Sequence, residues 1–324
     1  MFIFKKKHPY FLKNLILFLN NMKRAIHIAL PNTGEEEMNA VREPLKTGWL
    51  TQGPKVKQFE EDFAKYHNVN HATAVTSCTT ALHLGLLALG VKAGDEVIVP
   101  SFTWIATANA VKYCDAKPVI VDCDLQTYNI LPQEINKAIT PKTKAIIPVH
   151  LFGLCADIDE IKNVARNIPI LEDGACASGA KYKNQFAGGL GDIGTFSFHP
   201  RKTITTGEGG MLTTNNTDLF QILDTLRSHG ASVSEEIRHH GAKPYLMADY
   251  DVLGYNYRMT DMQAAVGIEQ TKKLDRFIEE RRKWAKFYEE KLSEVKWIKT
   301  PYVPDHSYHS YQSFACFVDA EKAP

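Results

Sequence analysis

The chain has 324 residues, of which 44% are hydrophobic and 23% charged, and its formal net charge is +1. That balance describes an ordinary globular protein with ample material for a core, and it excludes the basic footprint of a nucleic-acid binder. Cysteines at 78, 114, 123, 155, 176 and 316 form no CxxC pair and no His/Cys cluster with zinc spacing, so they read as reduced thiols in the cytosol.

Residues 1–21, MFIFKKKHPYFLKNLILFLNN, join a basic cluster to an apolar patch. Lys13 and Asn14 interrupt the patch, it is too short to span a bilayer, and no small-residue cleavage site follows. The reading is an extension over residues 1–22 that is not part of the fold, with Met22 as the natural start. Weak membrane association is the alternative, and no stable association is expected.

From Pro54 onward, helical and strand patterns alternate. Helices are expected at Pro54–Tyr66, Ala81–Gly90, Ile105–Tyr113, Pro132–Ala138 and Asp157–Arg166. Strands are expected at Ala72–Thr76, Glu96–Val99, Pro118–Asp122, Ala145–Val149, Ile168–Glu172, Ile193–Phe198 and Met211–Thr214. This alternation predicts one large α/β domain over residues 23–270 around a mostly parallel sheet flanked by helices. A charged helical stretch runs from Thr260, a plausible N-cap, to about Glu294. His239-His240 reads as loop rather than metal site, and there is no internal repeat.

The chemistry concentrates in Thr195–Gly210, TFSFHPRKTITTGEGG. Phe196 and Phe198 alternate with Thr195 and Ser197 as in a strand, and Pro200 stops the ladder, so Lys202 falls on a loop at a strand end, where open α/β sheets bind ligands. An imine-forming lysine needs a fixed position and surroundings that lower its proton affinity. A lysine taken alone is more often a solvated surface charge, so the neighbouring motifs decide.

Asp173 closes the apolar run IPILEDGA, and a buried acid there calls for a cation, such as the protonated ring nitrogen of pyridoxal 5'-phosphate (PLP). A turn or helix-cap aspartate is the plainer reading. Thr76-Ser77-Cys78-Thr79-Thr80 precedes the helical ALHLGLLALG and offers small residues at a helix N-terminus, suited to the cofactor's phosphate but weak as a lone motif. TTGEGG as a nucleotide loop fails because it lacks the GxxxxGK[ST] order.

Six blocks in order carry a family resemblance: GWLTQGPKVKQFEEDFAKYH, TSCTTALHLGL, VIVPSFTWIATANAV, EDGACASGA, SFHPRKTITTGEGGMLTT and GYNYRMTDMQAAVG. From about Ile28 onward the chain resembles the DegT/DnrJ/EryC1/StrS family of sugar aminotransferases, with the fold type I (aspartate-aminotransferase-like) architecture. The resemblance implies that Lys202 holds PLP as a Schiff base, Asp173 pairs with its ring nitrogen, and Trp104 stacks on the ring, although a tryptophan after a strand is more often core. Ser197, Thr79 and Thr80 would take the phosphate. Asn256 and Arg258 would reach the site from the neighbouring subunit of a homodimer, toward the phosphate and toward a substrate carboxylate; an ordinary ion pair is the other reading of Arg258.

Two positions depart from the pattern. Cys176 stands where many relatives have a glutamine or histidine beside the cofactor's ring oxygen, and Cys78 replaces a glycine. The resemblance makes the stretch after Thr260 the helix that leads into a small C-terminal domain, with residues 271–324 its incomplete start. It further implies a cytoplasmic enzyme that moves an amino group from an amino acid, glutamate, to a nucleotide-linked keto-sugar for surface polysaccharide or amino-sugar biosynthesis. A PLP-dependent sugar dehydratase, which has a histidine in place of the lysine, and an inactive regulatory homologue are the alternatives.

Overall fold

Short β-branched strands and the helices between them assemble as the sequence pattern requires. The computed structural model describes residues 27–232 and 248–323. The chain clusters into two compact units, residues 1–30 and 31–324, and the second holds the helices and strands of the described residues. The expectations for residues 1–22 and for His239-His240 lie outside the described residues.

Helices α1 (Glu35–Thr47) and α2 (Pro54–His67) precede β1 (His71–Val75), α3 (Cys78–Ala88), β2 (Glu96–Pro100), α4 (Ala106–Tyr113), β3 (Lys117–Val121), α5 (Pro132–Ala138) and β4 (Thr143–Ile146). Then come α6 (Ile158–Ala165), β5 (Leu171–Asp173), a hairpin of β6 (Lys181–Tyr182) and β7 (Gln185–Phe186), β8 (Ile193–Ser197), β9 (Gly210–Thr214) and α7 (Thr217–Arg227). The chain continues through α8 (Asp261–Lys272), α9 (Leu274–Leu292) and the short strands β10 (Ile298–Lys299), β11 (Ser307–Tyr308) and β12 (Phe317–Val318).

Strands β3, β2 and β4 pair in parallel, while β5, β8, β9 and β1 form a four-stranded sheet. Parallel bridges from Ile146 to Ile170 and from Val149 to Asp173 join the two into one mixed surface. Only β9 runs against its neighbours β1 and β8. The expected strand Ile168–Glu172 is thus displaced toward Asp173, because Pro169 interrupts the ladder and pairing resumes opposite Ile193.

Helix α3 is buried on almost every side, as its apolar run predicts. A Cβ on Gly85 would come within 2.7 Å of a Leu171 methyl, so glycine allows α3 to lie close against β5. Leu82, Leu84, Leu86, Val97, Val99 and Ile147 build the core on this side. Phe59, Phe63, Phe196, Phe198 and Met259 build the second cluster under α2 and α8.

Thr260 caps α8, its hydroxyl accepting from the Gln263 amide at 3.2 Å. The single helix expected to about Glu294 is two helices joined at Lys273, whose ammonium is bound to Glu37 at 2.6 Å. The expected domain boundary at 270 falls inside α8.

Candidate active site

Strand periodicity sorts the two acids at the end of β5. Consecutive side chains point to opposite faces. Glu172 turns inward, where its oxygens accept from the amides of Gly188 (2.8 Å), Leu190 (2.8 Å) and Gly191 (2.6 Å) and from His150 Nε2 at 2.8 Å. His150 Nδ1 accepts from the Ala156 amide at 3.1 Å, which fixes the proton on Nε2. Both side chains are fully buried, so this pair is part of the frame.

Asp173 faces the other way and is also buried. Its Oδ2 accepts from Thr107 Oγ1 at 2.8 Å, and its Oδ1 from the Ala175 amide at 3.2 Å. Thr107 is a site residue that sequence reasoning missed. Its signal is the four-residue spacing of Thr103 and Thr107, whose hydroxyls lie 2.8 Å apart where the chain enters α4.

Lys202 lies in the turn after β8, where its amide donates to the His199 carbonyl at 2.8 Å. Its Nζ is 3.2 Å from Cys176 Sγ, and Cys176 leaves β5 three residues after Asp173. Burial works against the Lys202 ammonium, but the Cys176 sulfur, Cys78 and the Asp173 carboxylate outweigh it and hold its pKa above the ordinary lysine value. The expectation of lowered proton affinity is therefore corrected: the chain's own groups around Lys202 are electron-rich and favour the ammonium. Burial, with the Asp173 charge next, pushes the Cys78 thiol well above its usual range.

Cys78 opens α3, and its Sγ lies 3.7 Å from Thr195 Oγ1. Ser77 is the N-cap: its Oγ accepts from the Thr80 amide at 3.2 Å, and Thr80 Oγ1 donates to the Ser77 carbonyl at 2.7 Å. Among the described residues the amides of Cys78 and Thr79 meet no acceptor, as the first turn of a helix leaves them. Ser197 pairs across the ladder with Gly210, and a Cβ on Gly210 would overlap the backbone of Ser77 and Cys78. Glycine there brings Ser197 and the start of α3 into one neighbourhood.

Asn256 and Arg258 flank Tyr257, whose carbonyl accepts from the Thr76 amide at 3.0 Å, so they lie beside the strand that enters α3. Asn256 is exposed. Arg258 Nη1 is buried and has no partner among the described residues, which sets aside the ordinary ion pair for that nitrogen. Trp104 is 73% exposed, so it is not core. It is linked to Asp173 through the turn in which its carbonyl accepts from the Thr107 amide at 3.1 Å.

The parts thus brought together are a lysine amine, a buried carboxylate, a helix N-terminus with free amides and two hydroxyl residues. Such a donor set fits PLP: the carboxylate suits a pyridinium and the amides suit a phosphate. Among the described residues no group of His, Cys, Asp and Glu could hold a metal ion, and no helix is long and apolar enough to cross a membrane.

The model of the DegT/DnrJ/EryC1/StrS aminotransferase family matches residues 31–323. GDP-perosamine synthase of Caulobacter vibrioides is 44% identical over 273 residues, 83% of this chain and 71% of that protein. Spore coat polysaccharide biosynthesis protein SpsC of Bacillus subtilis is 40% identical over 297 residues, 91% of this chain and 76% of that one. The X-ray structure of the aminotransferase from Psychrobacter cryohalolentis matches with a TM-score of 0.85 at 34% identity, over 91% of this chain and 78% of the other. With that match along the chain and the same architecture in three dimensions, the protein belongs to the DegT/DnrJ/EryC1/StrS aminotransferase family and has the fold type I architecture.

Proposed function

We propose that this aminotransferase uses PLP to move an amino group from glutamate to the keto group of a nucleotide-linked sugar, in the assembly of a surface polysaccharide or related amino-sugar. The observation that carries the reading is the meeting of Lys202, Asp173 and the N-terminus of α3 at the ends of β5 and β8. The names of two relatives, a GDP-perosamine synthase and a spore coat polysaccharide protein, support the sugar class.

In this reading Lys202 Nζ would hold the cofactor and, as a free amine, would carry the proton from the substrate carbon to the other side of the exchange. PLP, when bound, supplies the electron sink for the carbanion. Asp173, oriented by Thr107, would hold the ring nitrogen and favour its protonated form. The amides of Cys78 and Thr79, with Ser197, would hold the phosphate, aided by the helix dipole; Thr80, expected there too, gives its amide and its hydroxyl to Ser77 instead. Trp104 would cover the ring face and exclude water from it. Cys176 lies beside the amine, where relatives would contact the ring oxygen.

Arg258, with a buried nitrogen lacking a partner among the described residues, suits a carboxylate donor through a bidentate fork. Its place, and that of Asn256, belongs to a homodimer with shared sites. The exposure of Trp104, Ile105 and Leu253, at 73%, 61% and 83%, supports a partner subunit over these segments. Free cysteines throughout suit a cytoplasmic enzyme. Lys202 favours transamination over the dehydratase reading and speaks against an inactive homologue.

The test is turnover of PLP-loaded protein with glutamate and a GDP-linked keto-sugar. Equal amounts of 2-oxoglutarate and amino-sugar are expected. Loss of water from the sugar without a gain of nitrogen would replace the reading with the dehydratase.

A further inference from the structure

Cys176 Sγ lies 3.2 Å from Lys202 Nζ, within reach of bond formation after small adjustment. Cys176 is also the one partly exposed cysteine in this cluster, since Cys78 is buried. We propose that Cys176 and Lys202 form an oxidation-sensitive pair, in which peroxide converts the thiol to a sulfenic acid that the lysine amine then captures as a reversible sulfur–nitrogen cross-link.

The chemistry balances in two steps. In the first, the Cys176 sulfur attacks a peroxide oxygen, the O–O bond breaks, and thiol plus hydrogen peroxide give sulfenic acid plus water. The sulfur is oxidised by two electrons and the peroxide reduced by two. In the second, Lys202 Nζ first gives its ammonium proton to solvent, its lone pair then attacks sulfur, the S–O bond breaks, and the departing hydroxide leaves as water with a further proton from the nitrogen. The sum is one thiol, one amine and one peroxide giving one S–N bond and two waters.

Placement favours this fate over others. The Lys202 nitrogen in contact with Cys176 Sγ places the amine beside the sulfur that peroxide attacks. Once sulfenic acid forms, the amine is its nearest nucleophile among the described contacts, whereas Cys78 lies behind the start of α3 with its sulfur against Thr195. A glutamine or histidine at position 176 could not undergo this oxidation. The cross-link removes the Lys202 amine from imine formation, a consequence that rests on the PLP reading; the cross-link itself does not.

The experiment is limited hydrogen peroxide treatment of the purified protein, followed by tryptic peptide mass mapping and, in parallel, PLP uptake. The expected product joins the Cys176 peptide to one carrying uncleaved Lys202, two hydrogens below the sum of their masses. It forms equally in Cys78→Ser, is absent in Cys176→Ser, and is reversed by excess thiol. PLP uptake falls in proportion to the cross-linked fraction and is resistant to peroxide in Cys176→Ser. Recovery of Cys176 as sulfinic acid, or in a disulfide to Cys78 that leaves Lys202 cleaved, overturns the proposal. A cross-link that forms in a chain unable to take up PLP before treatment upholds the pair and counts against the cofactor reading instead.

Discussion

The hydroxyl of Thr107 donates to Asp173 Oδ2 at 2.8 Å, tying the first turn of α4 to the carboxylate at the end of β5. The bond orients Asp173 without neutralising it. Thr107→Val keeps the shape and removes the donor, at a cost of about 1 kcal/mol to the interaction Asp173 makes. The expected result is a roughly five-fold weaker PLP affinity in an absorbance titration, with little change in thermal midpoint.

His150 and Glu172 make a different pair, fully buried and far from water. His150→Ala leaves the Glu172 carboxylate short of one donor and opens a cavity, so about 3 kcal/mol of stability is lost. Denaturant unfolding of the two proteins checks it; an unchanged midpoint would show that the pair adds nothing.

Gly210 allows β9 to pass against the backbone of Ser77 and Cys78. Gly210→Ala forces that contact apart and costs about 1–3 kcal/mol. Because the displaced atoms are at the first turn of α3, PLP affinity is expected to fall further than in Thr107→Val, as the same absorbance titration would read.

His67 gives the pH dependence. Burial holds its pKa down to about 4, while its Nδ1 meets the Phe63 carbonyl at 3.1 Å and its Nε2 accepts from the Gly179 amide at 3.3 Å. The folded state therefore keeps His67 neutral while the unfolded chain binds a proton below about 6.5. Stability is unaffected by this group above that pH and falls between roughly pH 6.5 and 4, by at most about 1.4 kcal/mol per unit. Unfolding free energies across that range should show a smaller slope in His67→Gln.

Much of the fold was legible because strand and helix periods were clean. Pro54–His67, Pro132–Ala138 and the Thr260 cap were readable from proline and threonine at helix starts. Helices α1 and α7 were not singled out: α1 opens on Gly34, which makes no side-chain cap bond, and α7 follows Asn215-Asn216, a pair that reads equally as a turn. The β6–β7 hairpin is too short for any period to register. At the site, Lys202, Asp173 and the α3 N-terminus were legible from residue type and order. Thr107 was not, because its partner lies 66 positions away in sequence. The raised Lys202 pKa was missed because it depends on Cys176 and Cys78 as well as Asp173, groups that only the fold brings together.

The most direct test of the central claim is the visible absorption spectrum of purified protein after incubation with PLP, recorded for the wild type and for Lys202→Ala, before and after glutamate. The account predicts a yellow wild type whose long-wavelength band is absent in the variant and gives way to the shorter-wavelength pyridoxamine phosphate spectrum when glutamate is added. A wild-type protein that stays colourless with excess PLP, or a Lys202→Ala variant with the same band as the wild type, would contradict it.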